Sequence, residues 1–124
     1  RGKVSELAEA RGAGSRHGIR AAAAYIDAHF RDPALSLAAA AEAAGMSPAH
    51  FSRTFKKEMG VSFTEYVTRR RIEHAKRLLA SPEAKTWEAA EAAGYQEYAH
   101  FAKVFRKLTG YSPSEYRKQA GCTE

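Results

Sequence analysis

Apolar residues recur every three or four positions along most of this chain, the spacing that places them on one face of a helix. The first such stripe contains Ile19, Ala22, Ile26 and Phe30, and Pro33 ends it. No segment alternates apolar and polar residues over the length of a strand, so we predict an all-α fold with about seven helices. The predicted helices cover about 18–32, 37–44, 48–59, 62–80, 86–93, 97–108 and 112–120.

Capping residues and glycines set the limits of these helices. Ser36 is the predicted N-cap of a short helix that Gly45 ends. Ser47 and Pro48 begin the next helix, and Gly60 ends it. A short helix, a tight turn and a second helix form the helix-turn-helix plan, whose second helix enters the major groove of DNA. Many helical hairpins share this plan, so the pattern alone does not establish a function.

The second half of the chain repeats the first. Residues 99–116 match residues 49–66 at nine of eighteen positions, and residues 89–94 match residues 40–45 throughout. The second copy has one extra residue, between Gly94 and Ala99. Because such a repeat builds one unit twice, we predict two helix-turn-helix subdomains joined by a long connector helix. The predicted limits are 1–17 for a linker or the end of an absent upstream domain, 18–61 for the first subdomain, 62–80 for the connector, 81–120 for the second subdomain and 121–124 for a tail.

Composition narrows the class of protein. No apolar run approaches the length of a membrane span, and no signal peptide is present. The only cysteine, Cys122, excludes an internal disulfide and fits a reducing cytoplasm. The first residue is Arg1 rather than Met, which indicates a fragment of a longer protein.

Positive charge is concentrated in the downstream part of each repeat. The chain carries a net charge of +6. Residues 45–79 hold eight Lys or Arg against three Asp or Glu, and residues 95–118 hold five against two. This segregation suggests a polyanion bound at two places. The alternative is that these cations simply solvate the outer faces of helices.

The second helix of each copy has one apolar and one basic face. At 100° per residue, Phe51 and Phe55 share a side of the first of these helices, and Ala49, Arg53 and Lys56 lie opposite. In the second copy Phe101, Phe105 and Leu108 define the predicted buried face, and Ala99, Lys103 and Arg106 oppose it. A small residue allows close approach to base edges. A basic residue can contact guanine or neutralise a phosphate.

These residues resemble the DNA-binding domain of the AraC/XylS-type transcription regulators over about 18–118. In the first half the matching residues are Leu35-Ser36-Leu37, Gly45-Met46-Ser47-Pro48, His50-Phe51-Ser52-Arg53, Phe55-Lys56-Lys57, Gly60, Ser62-Phe63, Tyr66, Arg71, Ala75 and Leu78-Leu79. In the second half they are Gly94-Tyr95, Phe101, Phe105-Arg106-Lys107, Gly110-Tyr111-Ser112-Pro113 and Tyr116-Arg117. The run from Arg71 to Lys76 is similar to two-component response regulators of the YesN type.

The resemblance implies sequence-specific binding of double-stranded DNA by two recognition helices in successive major grooves. A connector of residues 62–80 would be about 28 Å long, against groove faces ~34 Å apart. The implied role is regulation of transcription, commonly activation, in the bacterial cytoplasm and on the nucleoid when bound. The implied partners are promoter DNA, RNA polymerase and an upstream receiver or metabolite-binding domain that this chain lacks.

The resemblance also implies roles for individual residues. The family's base-reading positions fall on Ala49, Ser52, Arg53, Tyr98, Ala99, His100, Ala102 and Lys103. Its contacts to the DNA backbone fall on Ser47, Lys56, Lys57, Arg106 and Lys107. The three alanines offer only methyl groups, so specificity would depend on the larger side chains. Alanine also replaces larger aliphatics at the core positions Ala40, Ala44, Ala89 and Ala93. We therefore expect modest stability and incomplete order of the second unit without DNA.

Two other classes of function fit the sequence less well. The five histidines are scattered, without a catalytic grouping or metal-ligand spacing, and Cys122 stands alone, so we expect no enzyme, cofactor or metal site. A helical module that binds protein or RNA could instead use an aromatic surface of Tyr95, Tyr98 and Tyr111. Tyr95 and Tyr111 follow helix-ending glycines and are better interpreted as core residues, and Arg71 is expected to pack inward.

Overall fold

The structure, a computed structural model, describes residues 3–81 and 83–121, and side chains over 16–81 and 83–119. Within these limits the chain forms seven helices and no strand, which confirms the all-α prediction. The helices are α1 (Lys3–His29), α2 (Leu37–Ala44), α3 (Pro48–Met59), α4 (Phe63–Leu79), α5 (Thr86–Ala92), α6 (Tyr98–Thr109) and α7 (Pro113–Gly121).

The largest difference from the sequence prediction is the start of α1. The apolar stripe begins near Gly18, but the helix begins at Lys3. The intervening residues mix Ala, Glu and Arg with Gly12, Gly14 and two serines, so neither periodicity nor helix propensity marks the start of the helix. The interpretation of residues 1–17 as a linker or the end of an upstream domain stays a prediction. Pro82, the predicted helix stop, and Cys122 lie outside the described residues.

The chain divides into two compact units, and the division falls inside α4. The first unit contains residues up to His29 and Leu35–Val67, and the second contains Phe30–Ala34 and the residues from Thr68 onward. The subdomain limits predicted from the sequence stay predictions.

In the first unit, α1, α2 and α3 enclose an apolar core. Ile26, Phe51 and Phe55 are fully buried in it. Phe63 and Tyr66 at the start of α4 approach Phe55 edge-on, with ring centroids 6.3 and 5.4 Å away. The core is therefore built around the two phenylalanines of α3, and these residues fix how α3 is rotated about its axis.

The second unit repeats this plan with α5, α6 and α7. Phe101 and Phe105 of α6 are fully buried, and Tyr116 of α7 lies edge-on to Phe105 at 5.4 Å. Ile72 and Leu79 supply the α4 side of the same core. Of the four core alanines, Ala40, Ala89 and Ala93 are buried, and Ala44 is only half-buried. The expected modest stability stays a prediction.

The turn between α2 and α3 and the turn between α5 and α6 have the same backbone hydrogen bonds. The Gly45 N–H donates to Glu42 O at 3.0 Å and the Met46 N–H donates to Ala41 O at 2.9 Å. In the second copy Gly94 donates to Glu91 O and Tyr95 donates to Ala90 O, both at 3.0 Å. Both turns are Schellman motifs, which need a positive φ at the glycine. The φ angles are 72° at Gly45 and 100° at Gly94.

Candidate nucleic-acid interface

Helix α3 is the better capped of the two predicted recognition helices. The Ser47 hydroxyl accepts a hydrogen bond from the His50 N–H at 3.3 Å, and Pro48 occupies the first turn. Gly60 ends the helix in the left-handed conformation. Because Phe51 and Phe55 face the core, the opposite face is open. The predicted DNA-contacting residues of this copy are all exposed: Ser47, Ala49, Ser52, Arg53, Lys56 and Lys57.

Helix α6 presents the matching face in the second unit. It buries Phe101 and Phe105 and has no side-chain hydrogen bond at its N-cap, Glu97. Ala102 is half-buried, at the edge of the open face. The other predicted DNA-contacting residues of this copy are exposed: Tyr98, Ala99, His100, Lys103, Arg106 and Lys107. Each unit therefore brings its predicted residues together on one exposed, basic helix face.

Two predictions about apolar residues of the second unit were wrong. Leu108 is 45% exposed rather than buried. It shares the angular direction of Phe101 but lies seven residues further on, about 10.5 Å along the axis, in the last turn of α6. Tyr111 is 38% exposed. Its backbone N–H donates to the Thr109 hydroxyl at 3.1 Å, and this bond stabilises the turn without burying the ring.

Tyr95 and Arg71 pack inward, as predicted. Tyr95 is 6% exposed, so the three tyrosines do not share one aromatic surface. The Arg71 Nε donates to Phe30 O at 2.7 Å, and Nη2 donates to Asp32 O at 3.0 Å. Burial lowers the pKa of Arg71 and raises the pKa of Tyr95, against which the guanidinium lies. The repeat gives no signal for these carbonyl contacts, because Arg71 lies outside it.

His74, in α4, lies close to positive charges. Burial, followed by the positive charges of Arg31 and Arg77, lowers the pKa of His74. This imidazole lies edge-on to Phe30 at 5.5 Å. The environment thus favours the neutral form of His74.

The described part of the chain does not have the features of two other functional classes. No group of three or more His, Cys, Asp or Glu side chains within 16–81 and 83–119 could hold a metal ion. None of the helices in this part of the chain is long and apolar enough to cross a membrane.

The fold and the two basic helix faces define a class of protein. A family model described as a helix-turn-helix domain matches residues 40–119, so the chain belongs to that family. Solved domains with the same fold place it more narrowly: the chain is an AraC-type helix-turn-helix DNA-binding domain.

Curated relatives are transcription regulators of greater length. The HTH-type transcriptional activator Btr of Bacillus subtilis is 44% identical over 73 residues, which are 59% of this chain and 14% of Btr. The arabinose operon regulatory protein of Escherichia coli is 34% identical over 86% of this chain and 36% of its own length. The chain thus spans about a third or less of the length of such relatives.

Similar solved structures include two response-regulator domains and one DNA complex. The C-terminal domain of AraT, a response regulator from Geobacillus stearothermophilus, is 39% identical with a TM-score of 0.78, over 82% of this chain and 84% of that one. The C-terminal domain of YesN, a two-component response regulator from Fusobacterium nucleatum, is 31% identical with a TM-score of 0.74, over 77% and 93%. The DNA-binding domain of AdpA, in complex with a target DNA, is 25% identical with a TM-score of 0.76, over 82% and 90%.

Proposed function

We propose that this domain binds double-stranded promoter DNA sequence-specifically, with α3 and α6 in successive major grooves, and that it activates transcription. The observation that carries the proposal is the repeated helix face. In each unit two fully buried phenylalanines turn a small residue and a basic residue outward. The similarity to the AdpA domain, solved with its target DNA, supports this use of the face.

We propose base contacts for the exposed residues at the centre of each face and phosphate contacts for the cations at its edge. Arg53 and Lys103 are the main candidates for base contacts, because long cationic side chains can make bidentate bonds to guanine. Ser52, Tyr98 and His100 add polar groups, and Ala49, Ala99 and Ala102 allow close approach. The phosphate backbone of the DNA would be bound by Ser47, Lys56, Lys57, Arg106 and Lys107.

The length of α4 supports the use of two grooves. Its 17 residues make a helix of about 25 Å, and it contributes residues to both units. Activation would require contact with RNA polymerase, and the name of Btr supports an activating role. The likeness to AraT and YesN supports a phosphorylated receiver domain upstream, with a metabolite-binding domain as the alternative. Such a regulator would act in the bacterial cytoplasm, on the nucleoid when bound.

The test is selection of bound duplexes from a random library, followed by footprinting of Arg53→Ala and Lys103→Ala on the selected site. Each substitution should weaken binding by roughly 1–3 kcal/mol if it removes a base contact. The two effects should fall at half-sites about one helical turn apart. Lys85→Ala is a matched control, because Lys85 is exposed on the turn before α5, outside both recognition helices. The proposal would be contradicted if RNA bound as tightly as duplex DNA at all salt concentrations. It would also be contradicted if both substitutions changed the footprint at one shared position.

A further inference from the structure

The second recognition helix begins without the cap that the first one has. The Ser47 hydroxyl caps α3 at 3.3 Å, whereas Glu97 gives α6 no side-chain bond. The turn before α6 is also one residue longer. A longer turn and an uncapped end leave the first turn of a helix less constrained. The predicted base-reading residues Tyr98, Ala99 and His100 lie in that first turn.

A buried ring lies directly under this uncapped turn. The Tyr95 ring is in edge contact with the His100 ring, with centroids 5.5 Å apart at 76°, and lies 5.3 Å from Phe101. Tyr95 is 6% exposed, whereas His100 is exposed. An edge-to-face contact favours a defined orientation of one ring relative to the other. A fixed ring in the core therefore supports an exposed ring on the recognition face.

Arg71 also contacts the Tyr95 ring. Its guanidinium carbon lies 5.5 Å from the centroid of the Tyr95 ring. Two backbone carbonyls, Phe30 O at 2.7 Å and Asp32 O at 3.0 Å, orient this guanidinium. These two hydrogen bonds set the plane of the guanidinium. A cation–π contact with a fixed plane restricts where the ring can sit.

The first copy lacks this arrangement at the equivalent position. Met46 follows Gly45 as Tyr95 follows Gly94, so Met46 is the equivalent of Tyr95. Because methionine has no aromatic ring, Met46 cannot make a ring contact with His50. Each copy therefore has its own stabilising contact at the start of its recognition helix. The first copy has the Ser47 cap, and the second has the Tyr95 ring.

We infer that Tyr95 and Arg71 are positioning residues for the second recognition helix, and that the contacts of Tyr95 with Arg71 and His100 set which bases α6 reads. The inference rests on the proposed function, since it names what orients the second DNA-contacting face. Its consequence is specific: loss of these contacts alters base preference at the second half-site and leaves the first half-site unchanged.

The experiment compares base preferences of the whole chain and its variants by selection from a random duplex library. Tyr95→Met, which installs the residue of the first copy, and Arg71→Met should reduce the preference at the bases that His100→Ala also affects by about tenfold. Tyr95→Phe keeps the ring and should retain the preference. The preference assigned to Arg53 should stay constant in all three. A uniform loss at both half-sites, or an unchanged second half-site, would overturn the inference.

A measurement without DNA keeps the inference testable if Tyr95→Met does not fold. In the NMR spectrum, His100 ring protons should show cross-peaks to the Tyr95 ring and a ring-current shift, and both should be lost in Arg71→Lys while cross-peaks between Phe101 and Phe105 persist. Retention of the His100 signals in Arg71→Lys contradicts the positioning role. If instead Lys103→Ala leaves DNA binding unchanged while the ring contacts are as described, the proposed function of α6 fails, and the role of Tyr95 and Arg71 in base preference fails with it.

Discussion

At Gly94 the space around one backbone position is already filled. A Cβ added there would lie 2.8 Å from Phe30 O and 3.0 Å from Arg31 O, and φ is +100°. At the equivalent Gly45, φ is +72° and nothing lies within 4 Å of such a Cβ. The two positions form the same turn, but only one of them is also in close contact with another backbone segment.

Gly94→Ala should therefore destabilise the chain more than Gly45→Ala. The Gly45 substitution introduces only a left-handed alanine, at about 1–2 kcal/mol. The Gly94 substitution adds a clash with two carbonyl oxygens that are backbone and cannot move independently, so we expect a loss at least ~1 kcal/mol larger. Urea unfolding of the two variants measures the difference. Equal losses would mean that the 30–31 backbone yields.

For individual residues, the sequence predicted which side chains face the core and which face solvent better than it predicted their hydrogen-bond partners. Phe51, Phe55, Phe101 and Tyr95 are buried as their spacing or position after a glycine indicated. The partners of Arg71 were not predictable, because Phe30 O and Asp32 O are backbone atoms some forty residues away. Any residue type supplies such a carbonyl, so no side-chain pattern encodes the contact.

The helix starts differ in how their free N–H groups are satisfied. Ser36, Ser47 and Ser62 accept hydrogen bonds at the starts of α2, α3 and α4. At α7, Ser112 and Glu115 form a reciprocal capping box with distances of 2.9 and 3.2 Å. The backbone bond from Ser112 lowers the pKa of Glu115. Helices α5 and α6 have no such side-chain bond at their N-caps, Lys85 and Glu97.

Removing the two N-cap side chains of the recognition helices should have unequal effects. Ser47→Ala removes a hydrogen bond and should lower the free energy of unfolding by about 1 kcal/mol. Glu97→Ala removes no cap bond and should change it by less than about 0.5 kcal/mol. Thermal unfolding followed by circular dichroism gives both values. A loss at Glu97 as large as that at Ser47 would show that Glu97 has a contact of its own.

Helix limits followed from the sequence wherever a capping residue or glycine marks them. The bounds of α2, α3 and α7 agree with prediction to within a residue at the marked ends, because serine caps and positive-φ glycines act locally. The start of α1 at Lys3 has no such mark, and the apolar stripe begins only near Gly18. Leu108 was misassigned for a different reason: angular position on a helix does not say how far along its axis the core extends.

For the whole molecule, the concentration of positive charge predicts a strong dependence of DNA binding on salt. Lys56 and Lys57 are exposed in the last turn of α3, and Arg106 and Lys107 are exposed in the last turn of α6. If each neutralises a phosphate, each releases counterions on binding. Replacing Lys56 by Gln should then reduce the slope of log K against log salt by about 1 and weaken binding to all sequences alike.

Lys85→Gln is the control for this measurement. It removes the same charge from an exposed position outside the recognition helices, so the salt slope should stay within experimental error of the wild type. Titrations of one selected duplex and one random duplex over a salt series give the slopes. Equal slopes for the two variants would assign the effect to net charge rather than to a phosphate contact.

The two-copy architecture was predictable from the sequence because the repeat is direct, with buried phenylalanines and glycines at matching positions. How the copies differ was less predictable. The extra residue before Ala99 is visible in the sequence, but its effect depends on Tyr95 filling the space under the first turn of α6. The distances between packed side chains are needed to see that the Tyr95 ring lies at the start of α6, where α3 has the Ser47 cap.

The Tyr95 ring also limits how this domain could be redesigned. Grafting the exposed residues of α6 onto α3 would transfer the side chains that face DNA but not the surface they rest on, since Met46 would lie beneath them. The smallest segment of the second unit that could be transferred is therefore Gly94 to Gly110, which contains the turn and the helix. The recipient would also need an arginine at the position of Arg71. The two recognition helices are similar in sequence, yet they are not interchangeable parts.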